Sequence, residues 1–332
     1  MEIPQLSCTY PMRKSPHYDA IKDEFHEWFL SYVPFEDARR KNKVRATDYP
    51  YLAAVCWPAS DRRRLWDIAS LAGAFTERDG EYDSKRYGAS LAQLRASAAD
   101  TRARYVAVTD RRWGPLFTDI WQSFAEYVSA PQMARFAEVM ATFLDGCIAF
   151  DERLMTDGAF TDVEDYLDAR YLPLGQLIDH VMVEISLGID LGEVLDEPAL
   201  QAVVQADVER VAVYQDILSL RKDLSEGEDA ENIVLVIARS RGCPLPEAIA
   251  EAIRVHDEKM ARFDHLAERL AATSLGKQRE VCLFVEGLRN FTAGLVEWTL
   301  YSARYTLEDN SRWHAQSDRR ARSLTLDEGR SS

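Results

Sequence analysis

An all-α fold, a single helical domain, is what this sequence predicts, and three observations carry that expectation. No segment alternates apolar and polar residues with period two; apolar residues recur every three or four positions along most of the chain. Gly and Pro are scarce, 15 and 12 in 332 residues, whereas a many-stranded, turn-rich fold needs more of both. Hydrophobic residues make up 47% of the chain, with 7 Trp, 14 Tyr and 13 Phe, enough for a large aromatic core.

The elements follow in order. Residues 1–14 read as an extended lead-in, and Ser15-Pro16 as a helix start, since Pro suits the first helical position. Ile21, Phe25, Trp28, Phe29 and Tyr32 then keep the helical period. A short helix is expected over 35–46. Trp57-Pro58 breaks the chain, and Ser60 is placed to cap a helix through Leu65, Ile68, Leu71, Ala72 and Phe75 toward Asp79. Helical segments follow at 84–108 and 113–128, the second with an aromatic stripe of Trp113, Phe117, Trp121 and Phe124 that reads as core packing. Pro131 starts a helix whose apolar face holds Met133, Phe136, Met140, Phe143, Leu144 and Cys147.

Thr161 and Glu164 have capping-box spacing and open a segment that reaches Leu187. Pro173 and Gly175 lie inside it, so a kink is expected between Arg170 and Gly175, with backbone groups left open in the interior. Pro198 begins a long helix through Val204, Val208, Val211 and Ile217. Helices are further expected at 232–239, 246–272 and 276–307. The domain then spans 15–307, and the Arg-, Ser- and Asp-rich stretch 308–332 reads as a mobile tail.

Composition removes several function classes. A net charge of −15 disfavours nucleic acid and anionic membrane surfaces as partners. Five cysteines, odd in number and without a CxxC pair, indicate neither a disulfide framework nor a zinc knuckle, and point to a reducing, cytoplasmic setting. No apolar run is long enough to span a bilayer. The six His residues show no metal-ligand spacing, and no GxGxxG, P-loop or GxSxG occurs.

The polar features make one pattern. Gln215, Ser219 and Asp223 recur at i, i+4 and i+8, a stripe of oxygen donors on one helix face with Lys222 beside it. Asp79 and Asp83, four apart, end an earlier helix in Asp-Gly-Glu-Tyr-Asp. Arg170 precedes the expected kink, and the last helix runs out through Trp298, Tyr301, Arg304 and Tyr305. A polar stripe alone is also what a solvated helix face looks like.

At these residues the chain resembles the class I terpene synthases, the microbial cyclases of isoprenoid diphosphates. That family has a DDxxD motif ending one helix, an NDxxSxxKE motif on another, a diphosphate-sensing Arg at a helix break about forty-five residues before the latter, and an Arg-Tyr pair following a Trp near the carboxyl end. Here the corresponding stretches read DGEYD, QDILSLRKD, YLDARYLPLG and WTLYSARY. The resemblance covers residues 15–305. It departs at three positions: Gly80 stands for the second Asp, Gln215 for Asn and Asp223 for Glu. In the family the second Asp commonly orients the sensor Arg, so Gly80 leaves that task to another carboxylate, Asp83 or Glu81.

The resemblance implies a helical bundle around a central cavity, in which Mg2+ (three ions with substrate bound, Mn2+ as a substitute) assists loss of diphosphate from an isoprenoid diphosphate. Farnesyl diphosphate is the first expectation and geranylgeranyl diphosphate the second. Implied metal residues are Asp79, Asp83, Gln215, Ser219 and Asp223. Arg170, Lys222, Arg304 and Tyr305 would hold the diphosphate. Asp79, Arg170 and Leu174 would act at ionisation, Leu174 through its carbonyl. Phe75, Trp298 and Tyr301 are cavity-lining candidates, and a homodimer is also expected. Two alternatives share the fold: a non-catalytic binding or scaffold homologue, and a chain-elongating prenyltransferase, which would carry a second DDxxD that QDILSLRKD is not.

Overall fold

In a computed structural model the structure describes residue 6 and residues 8–32, 38–86, 114–156, 160–226 and 232–304, with the backbone alone at 39, 78–86, 155, 222, 225 and 226. Twelve α-helices and one 3-10 turn, and no strands, make up the described residues. They are α1 (Tyr18–Tyr32), α2 (Ala38–Thr47), α3 (Tyr49–Cys56), α4 (Arg62–Arg86), α5 (Gly114–Ala125), α6 (Ala130–Thr156), α7 (Val163–Arg170) and α8 (Gln176–Leu187). After the 3-10 turn Gly192–Asp196 come α9 (Pro198–Glu226), α10 (Ile233–Arg241), α11 (Leu245–Ala271) and α12 (Arg279–Tyr301). The expected helix at 84–108 lies outside the described residues beyond Arg86.

The all-α expectation holds, with local corrections. α3 was not foreseen, because its start depends on a single special residue. Asp48 sits in the left-handed region at φ 56°, where its carboxylate accepts the Tyr51 amide, and Pro50 fits the first turn. Asp61, not Ser60, caps α4: its carboxylate accepts the Arg64 amide at 2.9 Å, while the Ser60 hydroxyl is buried without a partner. Asp162, not a Thr161–Glu164 box, caps α7 by accepting from Asp165 N, and Glu164 instead pairs with Lys259. The final helix stops at Tyr301 because Ser302 turns extended.

α9 is the axis of the fold. Leu200, Val203, Val204, Ala206 and Val211 face one core cluster, while Val213, Ile217 and Leu220 belong to a second one with α7 and α10. A helix enclosed on nearly all sides loses the one-sided pattern of a surface helix. Its interior polar groups are then fully paired. Asp207 accepts Arg210 Nε at 2.9 Å and Nη2 at 2.6 Å, and also meets Gln176 Nε2 at 2.9 Å and His180 Nε2 at 2.7 Å. Burial pushes the Asp207 carboxyl up, but Arg210 and His180 outweigh it and hold the group below its ordinary value. Arg210 is entirely buried, donates to Leu288 O and to the Tyr10 hydroxyl, and lies 3.5 Å from the Phe263 ring centroid. One buried ion pair thus joins α8, α9, α11, α12 and the lead-in.

The end of α12 is tied to the α2–α3 joint. Trp298 Nε1 donates to Thr47 O at 2.8 Å, Ser302 Oγ to the same carbonyl at 3.3 Å, and Ala303 N to Ala46 O at 3.2 Å. These bonds satisfy orphan carbonyls at the end of α2, and they bring Arg304 close enough to Tyr49 for its charge to act on that hydroxyl.

Candidate active site

The site gathers at the break between α7 and α8. Where a kink was expected, the helix ends at Arg170 and restarts at Gln176. Gly175 makes the turn at φ 80°, a left-handed conformation that glycine adopts without strain. Around it, Leu174 N donates to Arg170 O and Gly175 N to Leu172 O. Among the described residues no backbone amide donates to the Leu174 carbonyl. Ile178 N donates to Gly175 O at 2.9 Å rather than to Leu174 O, so the break leaves that acceptor open. The Leu174 side chain packs against both core clusters. Gly146 of α6 lets the segment approach: a Cβ there would lie 2.4 Å from Leu172 Cβ. Opposite Gly175, a Cβ would meet Phe143 at 3.5 Å and Phe75 at 3.7 Å, and those two rings pack with centroids 4.9 Å apart.

Across from the break stands the stripe on α9. Gln215 and Ser219 are partly exposed and Asp223 is buried. Ser219 Oγ donates to Asp223 Oδ2 at 2.5 Å, which places their oxygens on one face as the i, i+4 spacing requires. The Gln215 side chain makes no hydrogen bond among the described residues. Asn232, the cap of α10, donates to Asp223 Oδ2 at 2.8 Å and to Asp216 O at 2.7 Å, so α10 holds the stripe from behind.

Between the stripe and the break lies a residue absent from the expected set. Asp216 is 2% exposed; Arg170 Nη2 lies 3.7 Å from its Oδ1, while Tyr166 Oη and Ile233 N donate to its Oδ2 at 2.5 and 2.9 Å. Burial raises its carboxyl to about 6, and Arg170 and Tyr166 oppose that rise. Asp216 was overlooked because it falls out of phase with Gln215, Ser219 and Asp223. The signal for Tyr166 was its position one helical turn before Arg170, and for Asn232 its place just ahead of the apolar run Ile233–Ile237.

The other expected residues divide. Asp79 and Asp83 lie on the last turns of α4, and Lys222 on α9; their side chains, and all of Tyr305, lie outside the described residues. Two residues before Asp79, Glu77 is buried between Tyr49 Oη at 2.5 Å and Arg40 Nη2 at 2.7 Å. Phe75 is partly buried at the Gly175 face. Tyr301 packs edge-on against Tyr51. Trp298, 3% exposed with its indole N–H bonded to Thr47 O, is a packed core residue, and its place is explained by the anchoring of α12.

A hard divalent cation fits what is present. The stripe supplies oxygen donors only, and the Ser219 and Asp223 oxygens are close to the separation of about 2.9 Å that adjacent ligands have in an octahedron of 2.0–2.1 Å bonds. Among the described residues no group of three His, Cys, Asp or Glu side chains is arranged to hold a metal ion.

Residues 79–262 match the family model of terpene synthase family 2, C-terminal metal binding, more than half of the chain. The chain belongs to the terpene synthases. It is therefore one of a family of enzymes, lyases, with a divalent-metal domain. This terpene synthase is 24% identical to spiroviolene synthase of Streptomyces violens over 92% of its own length and 86% of that protein's. Sesquiterpene synthase 6 of Postia placenta is also 24% identical, covering 90% of this chain and 88% of its own. The same identity holds for 4-epi-cubebol synthase of Streptosporangium roseum, described as (2E,6E)-farnesyl diphosphate cyclizing, over 92% and 93%. Among solved structures, the SVS_A2 protein from ancestral sequence reconstruction (its 205-DREMH-209/205-AQDLE-209 mutant) superposes with a TM-score of 0.77 at 23% identity, over 92% of this chain and 90% of that one. For a-eudesmol synthase the TM-score is 0.75 at 16% identity, over 90% and 99%. At these identities the structures bear on the fold. Among the described residues no helix is long and apolar enough to cross a membrane.

Proposed function

We propose that this terpene synthase is a Mg2+-dependent cyclase that ionises farnesyl diphosphate, with geranylgeranyl diphosphate as the second choice, and closes the carbon chain into a terpene hydrocarbon or alcohol. The observation that carries the reading is Asp216, through which Arg170 at the helix break and the Ser219–Asp223 wall form one unit. Farnesyl diphosphate is favoured because several relatives are named sesquiterpene synthases and one is described as cyclising it.

In this reading Asp79 and Asp83 on α4, and Gln215, Ser219 and Asp223 on α9, hold the metal from two sides. Mg2+ there would act as a Lewis acid that neutralises the departing diphosphate. Arg170, Lys222, Arg304 and the Tyr305 hydroxyl donate to the diphosphate oxygens, where charge grows as the C–O bond breaks. The Leu174 carbonyl, open at the break, faces the developing allylic cation with its negative end. Phe75 and Phe143 offer ring faces beside it and keep water out. Gln215 is one methylene longer than the family's Asn and Asp223 one shorter than its Glu, so this wall keeps its donors with altered reach.

Incubation with geranyl, farnesyl and geranylgeranyl diphosphates, with and without Mg2+, followed by gas chromatography–mass spectrometry, tests the reading. A cyclic C15 product that needs Mg2+ is expected. Undiminished product from Asp79→Ala or Arg170→Ala would sink the assignment of those residues.

A further inference from the structure

Outside the site described above, a cleft opens where α1, α4 and α5 meet. Its volume is about 510 Å3, within the roughly 300–1,000 Å3 typical of small-molecule sites. Asp67 of α4 lines it, twelve residues before Asp79 and so about 18 Å away along the helix. Trp28 and Trp66 form an aromatic wall, with ring centroids 5.3 Å apart and planes tilted by 54°. Both are partly exposed. Asp67 is 4% exposed, and its two oxygens are used unequally. Oδ2 accepts Ser123 Oγ at 2.7 Å and Tyr127 Oη at 3.0 Å, with Arg63 Nε at 3.9 Å. Among the described residues Oδ1 takes no hydrogen bond or ion pair, and packing does not seal it off, so it is open to the cleft. Buried polar atoms are nearly always satisfied. Burial raises the Asp67 carboxyl, and the two hydroxyls and Arg63 only partly offset that rise.

The surrounding charges leave a cation wanting. Arg62 is paired with Glu24 at 3.3 Å. Arg63 is paired with Glu126 at 2.6 Å, donates to Ser123 and lies over the Tyr127 ring. Asp119, on the α5 side of the cleft, accepts the Tyr32 hydroxyl and has no ion pair among the described residues. The carboxylates of Glu24, Asp67, Asp119 and Glu126 thus stand around two guanidiniums that are already engaged. An open carboxylate oxygen beside aromatic faces suits an organic cation: a charge-assisted hydrogen bond fixes its N–H, and the rings attract its charge and cover its carbon body. An anion in the same place would be repelled by Asp67 and Asp119.

We propose that this cleft is a binding site for a small organic ammonium ion, whose N–H donates to Asp67 Oδ1 while its apolar body lies against Trp28 and Trp66. Asp119 adds negative charge from the rim. The site is separate from the proposed ionisation site and does not depend on the cyclase reading.

The test is a ligand-observed NMR titration of the full chain with three probes of similar shape: 2-phenylethylammonium, 2-phenylethanol and 3-phenylpropanoate. The ammonium should saturate with a Kd below about 1 mM. The alcohol and the carboxylate should bind at least about tenfold more weakly. Asp67→Asn keeps an acceptor for Ser123 and Tyr127, and should weaken the ammonium by about tenfold or more. Asp119→Asn, at an exposed position, should weaken it by about two- to threefold. Asp79→Ala should bind it as the unaltered protein does. The selectivity of the unaltered protein and the Asp119→Asn result do not depend on how well Asp67→Asn folds. Equal binding of the alcohol or the carboxylate overturns the proposal, as does the absence of saturation up to about 10 mM ammonium. Attraction to the acidic surface at large would survive Asp67→Asn, and that result overturns it too. Loss of binding in Asp79→Ala would seat the ligand at the far end of α4 and also overturn it.

Discussion

Arg170 and Asp216 face each other at 3.7 Å across the seam between α7 and α9, with the carboxylate almost wholly buried and the guanidinium partly open. In the proposed reading, Gly80 stands where the family has a carboxylate that orients the sensor arginine, here Arg170. Asp216, fixed by Tyr166 and the Ile233 amide, holds Arg170 at the break from the other side. Asp216→Ala strands a buried hydroxyl, an amide and a guanidinium, and should cost about 3–5 kcal/mol of stability in urea unfolding. Asp216→Asn keeps the shape and an acceptor. It should unfold within about 1.5 kcal/mol of the parent yet lose roughly tenfold or more in kcat, because a neutral amide orients Arg170 weakly.

The metal wall makes a second prediction. Chelation with EDTA should abolish turnover, and Mg2+ should restore it. Converting the wall to the family's arms, Gln215→Asn with Asp223→Glu, should lower the Mg2+ concentration giving half-maximal rate; a rise would mean that the altered reach is matched to something else in this site. Asn232→Ala removes a cap and the bonds to the Asp223 carboxylate and the Asp216 carbonyl, and should cost about 1–2 kcal/mol as well as raising the Mg2+ requirement.

Close approach at the break gives a third. A Cβ on Gly146 would overlap Leu172, so Gly146→Val must push the α7–α8 turn away from α6. Stability should fall by about 1–3 kcal/mol, and turnover should fall by more than Gly146→Ala produces, although neither variant touches a proposed ligand. Paired thermal melts and diphosphate-release assays measure both effects.

His256 sets a pH dependence. It is 1% exposed on α11, and burial pushes its imidazole below the ordinary 6.5, opposed by Asp257 and aided by Arg210. The unfolded chain takes up a proton near pH 6.5 that the folded chain refuses. Stability from this group is therefore present above 6.5 and is lost as pH falls from there toward the depressed folded value. His256→Gln should flatten the drop in unfolding free energy between pH 7.5 and 5.5, with Asp257, Lys259 and Arg210 left in place.

Much of this was legible in one dimension. Helical periodicity located α1, α6, α9 and α12, and the Pro173–Gly175 pair located the break, because steric and hydrogen-bond rules act on a few adjacent residues. The Ser219–Asp223 contact was implied by i, i+4 spacing. α3 escaped because its start depends on a left-handed Asp48, a conformation that no pattern announces, and the caps at Asp61 and Asp162 each lay one residue from the expected start.

Asp216 marks the limit more sharply. As a letter it is an ordinary acid on a helix that carries several. The sequence by itself determined the all-α class, the interrupted helix and the oxygen-bearing stripe, since each depends on spacing along one segment. The tertiary structure alone decided that Asp216 is buried against Arg170 from a helix about forty-five residues away. Burial and charge environment arise from which helices pack together, and that is a property of the assembled core rather than of any stretch within it.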